Sequence, residues 1–414
     1  MENVQHTDVV VLGGGSAGVA AAVAAARKGL RVTLIERNAY LGGKATAAEV
    51  GTVCGLYHFS KNEKASFIVK GFAKEFAEKL QDRSGTSPLF SSEGVHYLPY
   101  NIEAFKKLCL ELVSEHNISV YFNTVLEHIT LEEHKLLSVH IIAAGKPITI
   151  NLQVLVDCSG DSVISHAADL PLIKSEHYQA AAQVFTMEGV TEENESKLGL
   201  IMMKVLRSAI DDNILGDFYD RVYIVQGSLK NNSVNLKIGI PLAVTYAPGN
   251  LQELRTVALG IVENLSQFLI DHVDAFKNAS LAHIAPEVGI RVGQRSTGKY
   301  LLTEEDVLSC KKMEDAIANA SWPMEIWEQN RRVKMLYFKL DDFYQVPAGC
   351  LQSNSIDNLF FAGRNISATD GAIASARVMG ICLQTGYAAG CMASAIASDL
   401  PLNDAIREIQ NGQL

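Results

Sequence analysis

DVVVLGGGSAGVAAAVAAARKGLRVTLIE, residues 8–36, decides the architecture of this chain. Asp8 to Leu12 is a short apolar run of the kind that a parallel strand buried on both faces requires, and it leads directly into Gly13, Gly14, Gly15, Ser16, Ala17 and Gly18. The alanine-rich stretch that follows predicts a helix to about Lys28, ended by Gly29, and RVTLIE predicts a second strand closing on Glu36. Gly13, Gly15 and Gly18 fit GxGxxG. In that pattern the first glycine allows a tight turn, the second lets backbone approach a pyrophosphate, and the third lets helix and strand pack closely. The free N–H groups at the helix start, Ser16 and Ala17 among them, suit phosphate. Glu36 at the end of the second strand can accept ribose hydroxyls and repels a 2′-phosphate. Strand, turn, helix, strand and acid in this order predict a dinucleotide site.

The rest of the composition is consistent with a small-molecule partner. A chain of 414 residues, 48% hydrophobic, can bury two or three folding units, and a formal charge of −10 without a compensating basic run argues against nucleic acid. Seven scattered cysteines, none spaced CxxC, suggest neither a disulfide framework nor a thiolate metal site, and are expected to be reduced and mostly buried. The eleven histidines form no HExxH pattern, so no metal is expected. The uncharged run over residues 9–26 lacks a basic segment before it and is broken by three glycines, so a soluble, cytoplasmic chain without a membrane partner is the expectation.

Beyond Glu36, ERNAYLGGKAT resembles the RxGGRxxT motif of FAD proteins with the glutathione-reductase-like fold. Arg37, Gly42, Gly43, Lys44 and Thr46 fill it, with lysine in place of the second arginine. VDCSGD, residues 156–161, resembles their DATGD segment. GIRVGQRSTGKYLLTEEDV resembles G-x-R-E-S-R-R-x-x-G-x-Y-x-L-T-x-x-D, retaining Arg291, Arg295, Gly298, Tyr300, Leu302, Thr303 and Asp306. Val292 stands where glutamate is usual, and Gln294 replaces one arginine. SWPMEIWE, FYQVP and NLFFAGRNIS follow in the same order. The chain thus resembles, over nearly its whole length, the FAD-dependent oxidoreductases akin to the flavoprotein subunits of fumarate reductase and succinate dehydrogenase. The implied fold is α/β: a Rossmann-like, glutathione-reductase-like FAD-binding domain over residues 1–161 and 286–414, with an inserted α+β substrate domain over 162–285. In the insert, RVYIVQGSLKNN and SVNLKIGIPL read as long alternating strands, and a long amphipathic helix is predicted from about Leu251 to Phe276.

The resemblance also implies FAD contacts at Ala45, Val125, Ser159, Gly160, Gly363, Arg364, Ala376 and Val378. Ala45 takes the position where a histidine can hold the flavin covalently in relatives, so non-covalent binding is expected, with Cys54 and His58 as lesser attachment points. The segment 359–380, LFFAGRNISATDGAIASARVMG, reads as the opposite end of the same site, its helix starting near Gly371 and facing the flavin pyrimidine, where a helix N-terminus stabilises developing negative charge.

A single GxGxxG, no CxxC and no GDAAH-like segment disfavour a pyridine-nucleotide disulfide reductase and an aromatic hydroxylase. The reading that remains is a dehydrogenase or oxidase: a small organic substrate gives hydride to flavin N5, and oxygen or another acceptor takes the electrons. A subunit passing electrons to a partner protein and a flavin-dependent double-bond reductase are the alternatives, and a homodimer accords with the fold. Candidate substrate contacts are Glu49, Cys54, Tyr57, His58, Arg291, Arg295 and Asp370. His58 is a base or a structural histidine. Arg291 and Arg295 clamp a carboxylate or brace the domain junction. Asp370 faces the ring or caps the helix after it.

Overall fold

The computed structural model describes residues 3–176, 178–329 and 333–414. Its centre is a five-stranded, wholly parallel sheet in the order Leu359–Phe361, Val154–Asp157, Val9–Leu12, Val32–Ile35, Ser119–Tyr121. The four strands from Leu359–Phe361 to Val32–Ile35 are buried at every position, which is why they read as unbroken apolar runs rather than alternating ones. The first glycine turn lies at the carboxyl end of the central strand and opens the helix Ser16–Arg27.

That helix is alanine-rich for a reason visible in its neighbour, Met379–Ala397. A Cβ on Gly386 would stand 2.1 Å from the Ala17 carbonyl oxygen, and one on Gly390 would stand 2.3 Å from that of Ala21. The two helices therefore meet backbone to backbone, and the helix Met379–Ala397 is locked onto the dinucleotide-binding unit by small residues.

A second sheet, ordered Asn3–His6, Lys146–Asn151, Lys135–Ala143, Val125–Glu132, flanks the first. Asn101 caps the helix Ile102–Glu115, its side chain accepting the Ala104 N–H at 2.9 Å. LTEED forms a capping box: Thr303 accepts from the Asp306 N–H while Asp306 accepts from Thr303.

The inserted unit is an antiparallel sheet ordered Val222–Ile224, Ser233–Gly239, Ala182–Glu188, Ser280–Ile284. Helices Glu195–Asp211 and Asn250–His272 give it an apolar core of its own around Phe185, Leu198, Leu236 and Leu265. The long helix stops at His272 and is followed by a short 3-10 turn, Asp274–Phe276. RVYIVQGSLKNN is not the long strand its alternation predicts, since pairing ends at Ile224. Gly227 takes φ +76°, and the Glu195 carboxylate captures the N–H groups of Gly227 and Leu229 at 3.0 and 3.2 Å, drawing the chain out of the ladder. All seven cysteines are free, and Cys54 alone among them is not fully buried. Among the described residues no helix is long and apolar enough to cross a membrane.

Candidate active site

A cavity of about 430 Å³ opens at the carboxyl ends of the central strands and continues to the face of the inserted sheet. Its size falls in the range of small-molecule sites, and its position is the crevice where open α/β sheets take ligands. Gly13, Gly15, Ser16 and Ala17 form one wall. The three motif glycines there have different tasks. A Cβ on Gly13 would meet the Cys158 carbonyl oxygen at 2.6 Å, and one on Gly18 would meet that of Gly13 at 1.7 Å, so both positions are closed by packing. A Cβ on Gly15 would meet nothing nearer than the Gly43 Cα at 3.7 Å. Glycine at 15 therefore keeps the cavity open instead of satisfying a neighbour.

Glu36 is buried at the end of its strand, where its carboxylate accepts the N–H groups of Gly14 at 2.7 Å and Asn38 at 2.8 Å. Burial pushes its pKa up, and those two N–H groups oppose the shift. Arg37 and Lys44 from the second motif converge on Glu287, at 2.8 and 2.6 Å, and Asn38 adds a third bond at 3.1 Å. Opposite them, Arg364 reaches the carbonyls of Gly160 and Ile290 and the Asp161 carboxylate at 3.0 Å, tying the late strand end to the segment that resembles DATGD.

The far end of the cavity is charged. Lys237 of the inserted sheet, Arg291, Arg377 and Glu325 line it together with Cys54 and Trp327. Burial pushes the Lys237 ammonium down to about 8, helped by the nearby Arg291, and lowers Arg291 and Arg377 as well. Glu325 is held below the usual carboxylate range, because the charges of Arg377, Lys237 and Arg291 more than offset its burial. Arg291 stacks on the Trp327 ring at 3.9 Å and donates to the Ala180 carbonyl.

Of the residues expected from the sequence, the cavity brings together Gly13, Gly15, Ser16, Ala17, Glu36, Arg37, Gly42, Gly43, Lys44, Ala45, Val125, Ser159, Gly160, Gly363, Arg364, Val378, Cys54 and Arg291. Others lie outside its wall. Gly18 is spent on helix–strand packing. The Thr46 hydroxyl donates inward to the Leu41 and Gly43 carbonyls, and Ala376 is fully buried in the core. His58 sits on a loop with its ring 6.5 Å from that of Phe343, and burial lowers its pKa.

Arg295, without solvent exposure, donates to the Ala368 and Gly293 carbonyls, to Ser175 and to Asp370. Asp370 does not cap the helix Asp370–Ala376: Thr369 does, and Asp370 instead pairs with Arg295 at 2.5 Å. The helix that meets the cavity is also not the one beginning near Gly371. The chain breaks at Val378, and Val378, Met379 and Cys382 of the next helix, Met379–Ala397, form the wall.

Glu287, Lys237, Glu325, Trp327 and Arg377 were not read from the sequence. For Lys237 a signal existed: in SVNLKIG, Val234, Leu236 and Ile238 face the core, so strand alternation puts Lys237 on the opposite face. For Glu287 no local pattern exists.

An open parallel sheet with a glycine-turn cavity at its carboxyl edge defines an α/β dinucleotide-binding protein. The family model for FAD dependent oxidoreductases matches residues 8–410, and the chain belongs to that enzyme family, with its Rossmann-like FAD-binding fold and an inserted substrate domain. Digeranylgeranylglycerophospholipid reductase 1 of Methanococcoides burtonii is 26% identical over 196 residues, which span 46% of this chain and 46% of the relative, about half of each. The anhydrotetracycline hydroxylase OxyS from Streptomyces rimosus superposes with a TM-score of 0.51 at 11% identity, over 98% of this chain and 66% of its own. A geranylgeranyl bacteriochlorophyll reductase-like protein from Thermoplasma acidophilum gives 0.48 at 12%, over 99% and 83%. The likeness to OxyS is of fold alone. Kinship is therefore with the broad family, which is coarser than the fumarate reductase relation suggested by the motifs.

Proposed function

We propose that this chain holds FAD without a covalent link and oxidises a small organic substrate that gives hydride to flavin N5, with oxygen or another acceptor taking the electrons. The observation that carries the reading is the continuity of one cavity from the glycine turn to a charged pocket walled by the inserted sheet. Its two ends suit the two partners of a hydride transfer.

In this reading the pyrophosphate lies on the turn at Gly13, Gly15, Ser16 and Ala17, with Gly15 leaving the room it needs. Each Glu36 oxygen takes one backbone N–H and keeps acceptor capacity for ribose. Gly43, Lys44, Ser159, Gly160, Gly363, Arg364 and Val378 line the remaining length. FAD would supply the two-electron chemistry, and the chain's own groups would orient the substrate and exclude water. Ala45 on the wall offers no attachment atom. Burial pushes the Cys54 thiol up to about 12, leaving little thiolate to form a bond. Both support non-covalent binding. The half-length likeness to a reductase supports, as a second reading, the reverse flow in which a double bond is saturated.

The test is anaerobic mixing of the yellow holoprotein with amino acids, hydroxy acids, amines and sugars. Bleaching by one class, and recolouring in air, is the expected result. Failure to take up FAD, or bleaching by a reduced partner protein and by no small molecule, overturns it.

A further inference from the structure

The charged end of the cavity has a chemistry that redox function alone does not explain. Four segments distant in sequence contribute to it: Lys237 from the inserted sheet, Arg291 from the segment between the strands Ser280–Ile284 and Arg295–Ser296, Glu325 from the strand Met324–Ile326, and Arg377 from the break before the helix Met379–Ala397. Among the described residues, three cations face one carboxylate. Glu325 is already engaged, accepting the Trp327 indole N–H at 2.9 Å and lying 3.8 Å from the Arg377 guanidinium.

Among the described residues, the other hydrogen-bond partners of these cations are neutral. Arg291 donates to a backbone carbonyl, and Arg377 donates to Gln179 and to the Glu325 carbonyl. The Arg377 Nε is buried without a hydrogen-bond partner among the described residues. The Lys237 ammonium has ring faces beside it, Trp327 at 4.8 Å and Tyr223 at 5.8 Å. Positive charge enclosed by protein is unfavourable unless a counter-charge meets it, and here three cationic side chains line one end of a cavity that could admit one.

We infer that the substrate is an anion, specifically a carboxylate, whose charged group is held by Lys237, Arg291 and Arg377 with the Trp327 ring as the apolar wall beside it. This rests on the redox reading proposed above and names its substrate class. Arginine offers paired N–H groups that match the two carboxylate oxygens, and lysine adds a point charge. The arrangement selects against neutral amides and esters of the same shape, which would leave the three cations without their counter-charge.

The test is a titration of the FAD-loaded protein at constant ionic strength with acetate and benzoate, each against its neutral amide, acetamide and benzamide. Thermal midpoint and the flavin absorbance band are the readouts, since a ligand that binds the native state raises the midpoint in a saturable way. Both carboxylates are expected to bind at least about tenfold more tightly than their amides. Lys237→Met and Arg377→Gln, each retaining FAD and the parental circular dichroism, are expected to lose about that factor for carboxylate and little for amide. Equal binding of acid and amide, no saturable effect of either carboxylate, or parental carboxylate affinity in both variants overturns the inference. A variant that fails to fold is replaced by the other, which decides alone. Failure of the chain to take up FAD defeats the redox reading instead, and the thermal titration of the chain without FAD still decides the anion site.

Discussion

Glu287→Gln is the perturbation that examines the first half of the site most directly. Glu287 stands between Lys44 at 2.6 Å and Arg37 at 2.8 Å, with Arg364 adding a further positive charge near Lys44. At 2.6 Å and an effective dielectric of about 20, the Lys44–Glu287 attraction is about 6 kcal/mol. Desolvation of the two ions takes back several kcal/mol, and side chains 28% and 23% exposed are partly screened, so the expected net loss at pH 7 is about 2–3 kcal/mol.

The pair is asymmetric. Burial opposes the charge on Glu287, yet Lys44 and Arg37 outweigh it and hold the carboxyl below its usual range. For Lys44 burial wins over Glu287, and the ammonium is lowered. Lys44→Met, which removes the ion that burial disfavours, is therefore expected to cost less than Glu287→Gln, under about 1 kcal/mol. The sign of the pH dependence follows. A carboxyl depressed in the folded state contributes stability that is full above its unfolded pKa of about 4.3 and is lost as pH falls through the lower folded value. Urea unfolding followed by circular dichroism should show a constant gap between wild type and Glu287→Gln from pH 8 to about 5 and a shrinking gap below about 4. A gap under about 0.5 kcal/mol at pH 7, or one that widens as pH falls, refutes the reasoning.

Two further substitutions separate roles that share a motif. Gly18→Ala puts a Cβ 1.7 Å from the Gly13 carbonyl oxygen and is expected to cost about 3 kcal/mol or more of stability. Gly15→Ala meets nothing nearer than 3.7 Å and is expected to leave urea stability within about 1 kcal/mol while weakening FAD at least about tenfold, measured by fluorescence titration. Similar stability losses at both positions would remove the division of labour between the glycines. Asp370→Asn withdraws the carboxylate from the buried Arg295, but Asp370 is 52% exposed, so solvent limits the cost to about 1 kcal/mol. Anaerobic flavin reduction by a substrate is expected to proceed at the parental rate in that variant, and a large rate loss with FAD still bound contradicts the placement of Asp370 outside the cavity.

Legibility tracked the range of the forces involved. The turn at residues 13–18 was readable because its constraint is steric and local: a strand end, a carbonyl at 1.7 Å and a helix start leave no room for Cβ at position 18. The cap at Asn101 and the helix boundary near Gly29 were readable for the same reason. RVYIVQGSLKNN was misread because a carboxylate from Glu195, on a helix that precedes it, takes its N–H groups. The capping residue was not legible: Arg295, brought beside Asp370 by the fold, takes its carboxylate while Thr369 caps the helix.

The sequence by itself determined the glycine turn with its flanking strands and helix and the second motif that follows it, since each is written in residues adjacent along the chain; of the family it gave the broad FAD-dependent oxidoreductase class, through motifs spread over the chain. The tertiary structure alone decided which charges meet. Glu287 lies 243 residues from Lys44, and Lys237, Arg291, Glu325 and Arg377 come from separate elements. Coulomb interactions act through space, so their partners are set by how the inserted sheet, the segment around Arg291 and the helix Met379–Ala397 close around the cavity. That closure depends on the packing of whole elements, of which the contact of Gly386 and Gly390 with the first helix is one instance.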